Sequence, residues 1–189
     1  MKDEIVKLLK RESKLSDETM SEIEEANIYD FADLIKEIGK NTREHVKSSE
    51  ISKDLKTNYI GKNLYVYHEV SSTNTVAKFL SKTGDENGSV VISEKQTGGR
   101  GRSGKTWESP LGGVWLSIIL TPNVDDSQIP LITLATGVAV AKTLEKIGIE
   151  NTEIKWPNDI VVNGKKICGI LTELCFQNGK GIVIIGVGI

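Results

Sequence analysis

Two Asn-Gly pairs, Asn163-Gly164 and Asn178-Gly179, punctuate the last third of the chain and limit its fold more than any other feature. Each stands between stretches of strand character. A two-residue Asn-Gly loop is the chemistry of a type I′ hairpin, because both of its residues must adopt positive φ. Asp159–Val162, Ile167–Phe176 and Gly181–Ile189 are therefore expected to form an antiparallel meander. Upstream, Leu64–Val70 alternates like a strand, and Ser89–Ser93, Val114–Leu120 and Glu153–Trp156 are further short strands. Two helices interrupt them. Ser72–Ser81 is capped by Ser72 or Thr73, with Val76, Phe79 and Leu80 facing inward; a longer helix starts at Pro130, runs through Ile147 and is closed by Gly148. This pattern predicts an α+β domain, a mixed and largely antiparallel sheet with helices on one face.

The first fifty residues follow a different period. Ile5, Leu8 and Leu9, then Met20 and Ile23, then Phe31, Leu34, Ile35 and Ile38 fall at helical spacing, with Ser16 as an N-cap and Gly39 as a C-cap. The division predicted is a small acidic helical segment over 1–50, without a winged helix, and a main domain over 51–189. Three short helices invite a helix-turn-helix reading, but the third carries Asp30, Asp33 and Glu37 against Lys36 and Lys40, a poor surface for phosphates. No nucleic acid is expected as a partner, and a net charge of −2 agrees. Apolar runs such as Val114–Leu120 are too short to span a membrane, and Met1-Lys2-Asp3-Glu4 is not the start of a signal peptide. Cys168 and Cys175 are expected as reduced thiols of a cytoplasmic protein, and His45 and His68 are too isolated to make a metal cluster.

The stretch from Gln96 to Trp107 carries the densest chemical signal. Gly99 to Thr106 fits the P-loop spacing, and Gly99, Gly101 and Gly104 fit the dinucleotide-binding spacing. Both motifs work only if a helix begins at the end of the loop and aims its amides at phosphate. Here Pro110, Gly112 and Gly113 follow, so a helix is excluded. The loop can still bind an anion. Arg100 and Arg102 are two of only four arginines in the chain, and a guanidinium fork suits carboxylate and phosphate oxygens. The glycines allow backbone amides to approach closely.

Two further clusters are weak alone: Ser72-Thr73-Asn74 at a helix start, and Lys155-Trp156-Pro157-Asn158-Asp159 before the hairpin that leads to Lys166 and Gly169-Ile170-Leu171. In order and spacing, with Gln96, Gly99–Gly104, Trp107 and Gly186-Val187-Gly188, they closely resemble the catalytic domain of biotin protein ligases. The resemblance covers about residues 51–189 and implies the fold of that domain, which is similar to class II aminoacyl-tRNA synthetases.

It also implies two half-reactions. The carboxylate of biotin attacks the α-phosphate of ATP, with Mg2+, to give biotinyl-5′-AMP and pyrophosphate. A lysine of a biotin carboxyl carrier domain of a biotin-dependent carboxylase then attacks the adenylate and releases AMP. On this resemblance the catalytic residues are Lys166, Arg100, Arg102 and Asp159, with Lys166 bridging the carboxylate and the α-phosphate. Biotin would be held by Ser72, Thr73, Asn74, Gln96, Arg100, Gly101, Arg102, Lys166, Gly169, Gly186 and Gly188. ATP would lie on Gly99, Arg102, Gly104, Trp107, Lys155, Asn158 and Lys166. No metal-ligand set is readable.

The sequence departs from the family at Cys168, where a small alanine is usual. The family pattern also continues past Gly186-Val187-Gly188-Ile189 with a nucleotide-binding Asn and an SH3-like domain, so the resemblance implies a chain cut short. Family members often pair through sheet edges, and a homodimer is compatible with the exposed meander. Two alternatives stay open: a lipoate or octanoate ligase of the same fold, and a non-catalytic biotin-binding module.

Overall fold

The computed structural model describes residues 46–83, 87–123 and 125–189. The helices expected between Ile5 and Ile38 lie outside these residues, as does most of the 1–50 segment. Helix α1 (Ser48–Asp54) crosses the expected boundary at residue 50 and places Ile51 in the core. Then come β1 (Leu64–Val70), α2 (Thr73–Leu80), β2 (Val90–Gln96), β3 (Trp115–Leu120) and α3 (Ile129–Lys146). The chain ends with β4 (Thr152–Lys155), β5 (Asp159–Val162), β6 (Lys165–Gln177) and β7 (Lys180–Gly188).

The strands form one seven-stranded sheet in the order β1-β2-β3-β7-β6-β5-β4. Only β1 and β2 pair in parallel, with α2 in the crossover between them; the other pairings are antiparallel. Both expected hairpins form. Asn163 and Gly164 have φ of 50 and 74°, and Asn178 and Gly179 have 50 and 78°, the left-handed pair a type I′ turn needs. Gly148, at φ 91°, ends the turn after α3, where a Cβ would be strained.

Side-chain alternation divides the core in two. Val90 and Ile92 of β2, Leu116, Ile118 and Leu120 of β3, and Val183, Ile185 and Val187 of β7 pack with α1 and α3. The intervening Val91, Ile119, Ile182 and Ile184 pack with Ala77 of α2. The expectation of helices on one face therefore holds for α1 and α3 and is corrected for α2, which covers the opposite face. With layers on both sides, all six residues of β3 are buried, which explains its unbroken apolar run. Ile132, Val140 and Leu144 of α3 are at most 3% exposed, each worth roughly 1.5–3 kcal/mol of burial. Phe79, expected to face inward, is 67% exposed: Asn74 and Ala77 take the α2 stripe that meets the sheet. Among the described residues, no helix is long and apolar enough to cross a membrane.

Candidate active site

The face under α2 carries the chemistry. Ser72 occupies the N-cap position of α2, but its side chain makes no cap hydrogen bond. The first free amide, Thr73 N–H, donates instead to Gln96 Oε1 at the end of β2 (2.8 Å), and the Thr73 hydroxyl lies 3.2 Å from the same oxygen. Gln96 Nε2 donates to Ser109 Oγ at 2.8 Å, and Ser109 donates to the Trp107 carbonyl at 3.1 Å. Beneath them, Ser117 of β3 lies 2.8 Å from Thr73 Oγ1 and 2.5 Å from Asn74 Oδ1. The Thr73 proton goes to Gln96 Oε1, and the single Ser117 proton is shared between Asn74 Oδ1 and Thr73 Oγ1. Asn74 Nδ2 donates to the Leu171 carbonyl (3.3 Å) and to Glu173 Oε2 (2.8 Å). Thr73, Asn74 and Ser117 are all buried.

The glycine loop folds as a narrow excursion. Gln96 and Ser109 are bridged at its base, Arg100 and Thr106 higher up, and a 3-10 turn at Arg102–Gly104 forms the tip. No helix follows the glycines, so both phosphate-loop readings fail structurally as the sequence predicts. Gly99 has its reason here: a Cβ would lie 2.3 Å from the Trp107 carbonyl. Arg102 reaches across to donate to Asn158 Oδ1 at 3.0 Å, while Asn158 Nδ2 donates to the Ile170 carbonyl at 3.0 Å.

Lys166 stands on β6 beside this contact, its Nζ 2.7 Å from Asp159 Oδ1 and 4.9 Å from the centre of the Trp107 ring. The Lys166–Asp159 contact is an ion pair without hydrogen-bond alignment, since that same oxygen lacks a well-angled donor. Lys166 comes to the cavity through a β-bulge. Pairing shifts between Ile160 and Val161, leaving Ile167 as an extra residue on β6. Lys166 and Gly169, three residues apart, therefore face the same side, which strict alternation forbids; a Cβ on Gly169 would lie 3.4 Å from Lys166 Cε. Cys168 turns the other way into the core, where burial pushes its thiol up to about 12, so it stays protonated.

These elements enclose a cavity of about 480 Å³. Its floor is Gly186-Val187-Gly188, and both glycines are required: a Cβ on Gly186 would meet Asn74 Oδ1 at 2.3 Å, and one on Gly188 would meet Trp107 Nε1 at 2.3 Å. Of the residues expected from the sequence, Ser72, Thr73, Asn74, Gln96, Arg100, Gly101, Arg102, Trp107, Asn158, Asp159, Lys166, Gly169, Gly186 and Gly188 line it. Gly99, Gly104 and Lys155 do not. Gly99 sits behind Trp107, Gly104 turns at φ 74° with open space around it, and Lys155 is exposed on β4 opposite Asp159. Ser109, Ser117 and Glu173 belong to the site's hydrogen-bond network and were not anticipated. Among the described residues, no three His, Cys, Asp or Glu side chains could together hold a metal ion.

A mixed sheet and its glycine loop thus bound a cavity that is neutral at one end and cationic at the other. Residues 66–189 match the biotin/lipoate A/B protein ligase family, and the chain belongs to it. It is 44% identical over 159 residues to the bifunctional ligase/repressor BirA of Bacillus subtilis, covering 82% of this chain and 47% of that protein. It is 34% identical over 137 residues to the biotin–[acetyl-CoA-carboxylase] ligase of Mycobacterium tuberculosis, covering 68% of this chain and 49% of that protein. Among solved structures, the Aquifex aeolicus biotin protein ligase in complex with biotin and ATP is 36% identical with a TM-score of 0.55. That match covers 68% of this chain and 52% of the other. The Leishmania major ligase in complex with biotinyl-5-AMP is 29% identical with a TM-score of 0.57, covering 68% and 57%. The chain spans about half the length of the curated relatives it matches.

Proposed function

We propose that this chain is the core of a biotin protein ligase, which activates biotin with ATP and passes it to a lysine of a biotin carboxyl carrier domain. The observation that carries the reading is one cavity with two unlike ends: the Thr73–Gln96–Ser117 network at one, and Arg102 and Lys166 at the other. The neutral end matches a cyclic urea, whose N–H and C=O groups each cost roughly 1–3 kcal/mol if buried unpaired. Leu116, Ile170 and Val187 line the cavity and offer an apolar surface to the valeryl chain.

At the cationic end, a carboxylate oxygen of biotin attacks the α-phosphorus of ATP, and the bond to pyrophosphate breaks. A carboxylate is already a nucleophile, so the protein's task is positioning and charge neutralisation. Lys166 is placed to neutralise the developing charge, with Asp159 and the Trp107 ring holding its ammonium. In the second step the carrier lysine's amine attacks the acyl carbon, AMP leaves with its bridging oxygen, and the amine loses a proton. Asp159 as acceptor of that proton would be overturned by an Asp159→Asn variant with unchanged transfer. Magnesium belongs to the nucleotide in this reading: the described residues offer no ligand cluster of their own, and Mg2+ commonly rides on substrate phosphates. When bound with the nucleotide it would supply charge neutralisation of those oxygens.

The test is calorimetric titration with biotin and, in parallel, lipoate, followed by pyrophosphate release with ATP. Biotin binding with pyrophosphate release is expected. Lipoate binding without biotin would move the chain to the lipoate branch of its family, and biotin binding without release would make it a binding module.

A further inference from the structure

The two arginines of the glycine loop stand in unlike surroundings. Arg102 reaches the neutral carbonyl of Asn158. Arg100 faces a carboxylate: its Nη2 is 3.9 Å from Glu173 Oε2, on β6 beneath α2. The same oxygen accepts from Asn74 Nδ2 at 2.8 Å, and the other, Oε1, is 2.6 Å from Lys78 Nζ. Glu173 thus joins three parts of the molecule: the last turn of α2 through Lys78, the cavity floor through Asn74, and the loop through Arg100. Its side chain is 25% exposed, where a charge–charge contact is screened less than at an open surface. Burial alone would raise its pKa, but hydrogen bonds from Lys78 and Asn74 and the charges of Lys78 and Arg100 outweigh it, so the carboxyl is held below its ordinary value and ionised.

We propose that Glu173 is a positioning residue for the reaction assigned above, pinning the glycine loop through Arg100 while it aims Asn74 at the floor. The inference rests on the biotin reading for its ligand but not for its geometry. Arg100 then acts as the anchor of the loop, its charge compensated inside the protein, and the ligand's anionic end is met by Arg102 and Lys166. This revises the expectation that both arginines grip the anion.

A distinct pattern of losses follows. Glu173→Gln and Arg100→Met each weaken biotin roughly fivefold, the scale of one partly screened contact, and the double variant is no worse than either. Because no ligand charge is involved, biotin methyl ester weakens by the same factor. Arg100→Lys, which keeps a cation within reach of Glu173, restores most of the affinity. Arg102→Met behaves differently, weakening biotin and sparing the ester. Ligand-free chain supplies an independent readout: Glu173→Gln and Arg100→Met speed tryptic cleavage after Arg102 and Lys105 to the same extent, with cleavage outside the loop unchanged; the cut after Arg100, which Arg100→Met abolishes, does not enter the comparison. Arg100 lies on an exposed loop, so its variants test the pin even if Glu173→Gln folds poorly. Additive effects of the two variants, or unaltered loop cleavage in both, would overturn the pin. Failure of the wild-type chain to bind biotin while the cleavage pattern holds would overturn the biotin reading and leave the pin standing.

Discussion

At one end of the cavity Thr73, Asn74 and Ser117 are buried and hydrogen-bonded to one another; at the other, Arg102 and Lys105 are exposed and the Lys166 side chain is 41% exposed. The neutral end is finished before any ligand arrives, and its dipoles are held by partners on α2, β2 and β3. The cationic end keeps its charges near water, because removing them in advance would cost several kcal/mol per ion with no anion to repay it. The contrast teaches a division of labour. In the proposed reaction, shape and hydrogen-bond selectivity would come from the floor, and neutralisation of the reacting charge from a loop and one lysine.

The strongest way to break this division is at Lys166. Lys166→Met keeps the stem over Trp107 and deletes the charge, and adenylate formation should fall roughly a thousandfold, the scale seen for lost transition-state charge stabilisation. Biotin binding measured by calorimetry should fall far less, since the neutral end remains. Equal losses in binding and rate would mean that Lys166 serves ground-state binding alone.

Gly186→Ala attacks the other end. Its methyl would lie 2.3 Å from Asn74 Oδ1, which Ser117, Leu171 and Glu173 hold in place. Overpacking of this kind costs about 1–3 kcal/mol, so biotin should bind roughly five- to 150-fold more weakly. Pyrophosphate release at saturating biotin should recover most of its rate, the opposite split from Lys166→Met. Ser117→Ala is gentler. It leaves Asn74 Oδ1 without that donor, costing roughly 1–3 kcal/mol of stability. Chemical denaturation should show it as a lower midpoint at constant slope.

What the sequence makes legible follows from how local each cause is. The Asn-Gly turns and the Gly148 stop are decided by φ chemistry within two residues, and all appear as expected. The glycine loop and its lack of a following helix are likewise local, because Pro110 lies within the same stretch. Side-chain facing is less local. Phe79 fits an apolar stripe on paper, yet the stripe that meets the sheet runs through Asn74 and Ala77, because a polar floor lies beneath the first turn of α2. Lys166 and Gly169 have opposite parity in an ideal strand, and only the bulge brings them to one side. Ser109, Ser117 and Glu173 were invisible for a third reason. Their partners lie 13, 43 and 99 residues away, and nothing next to them in sequence marks a Ser or Glu as part of a network. Lys155, Gly99 and Gly104 are the converse: they belong to local motifs and lie off the cavity wall.

Acid titration sharpens the comparison with the smallest effect. Glu173 is held below its ordinary carboxyl value in the folded chain: burial pushes it up, and Lys78, Asn74 and Arg100 together pull it further down. A group depressed on folding contributes stability that is present above its unfolded value, near 4.5, and is lost as pH falls through its lower folded value. Part of the acid limb of the wild-type stability curve therefore belongs to this carboxylate. Glu173→Gln should be less stable than wild type near neutral pH by at most about 1 kcal/mol, since the group is partly screened. The two curves should converge as pH drops below the folded value, where wild-type Glu173 is also neutral. Denaturation midpoints between pH 7 and about 3 measure the convergence. A constant gap across that range would mean that the substitution acts through packing alone. Arg102→Met is the control: its partner is the neutral carbonyl of Asn158, so its curve should run parallel to wild type.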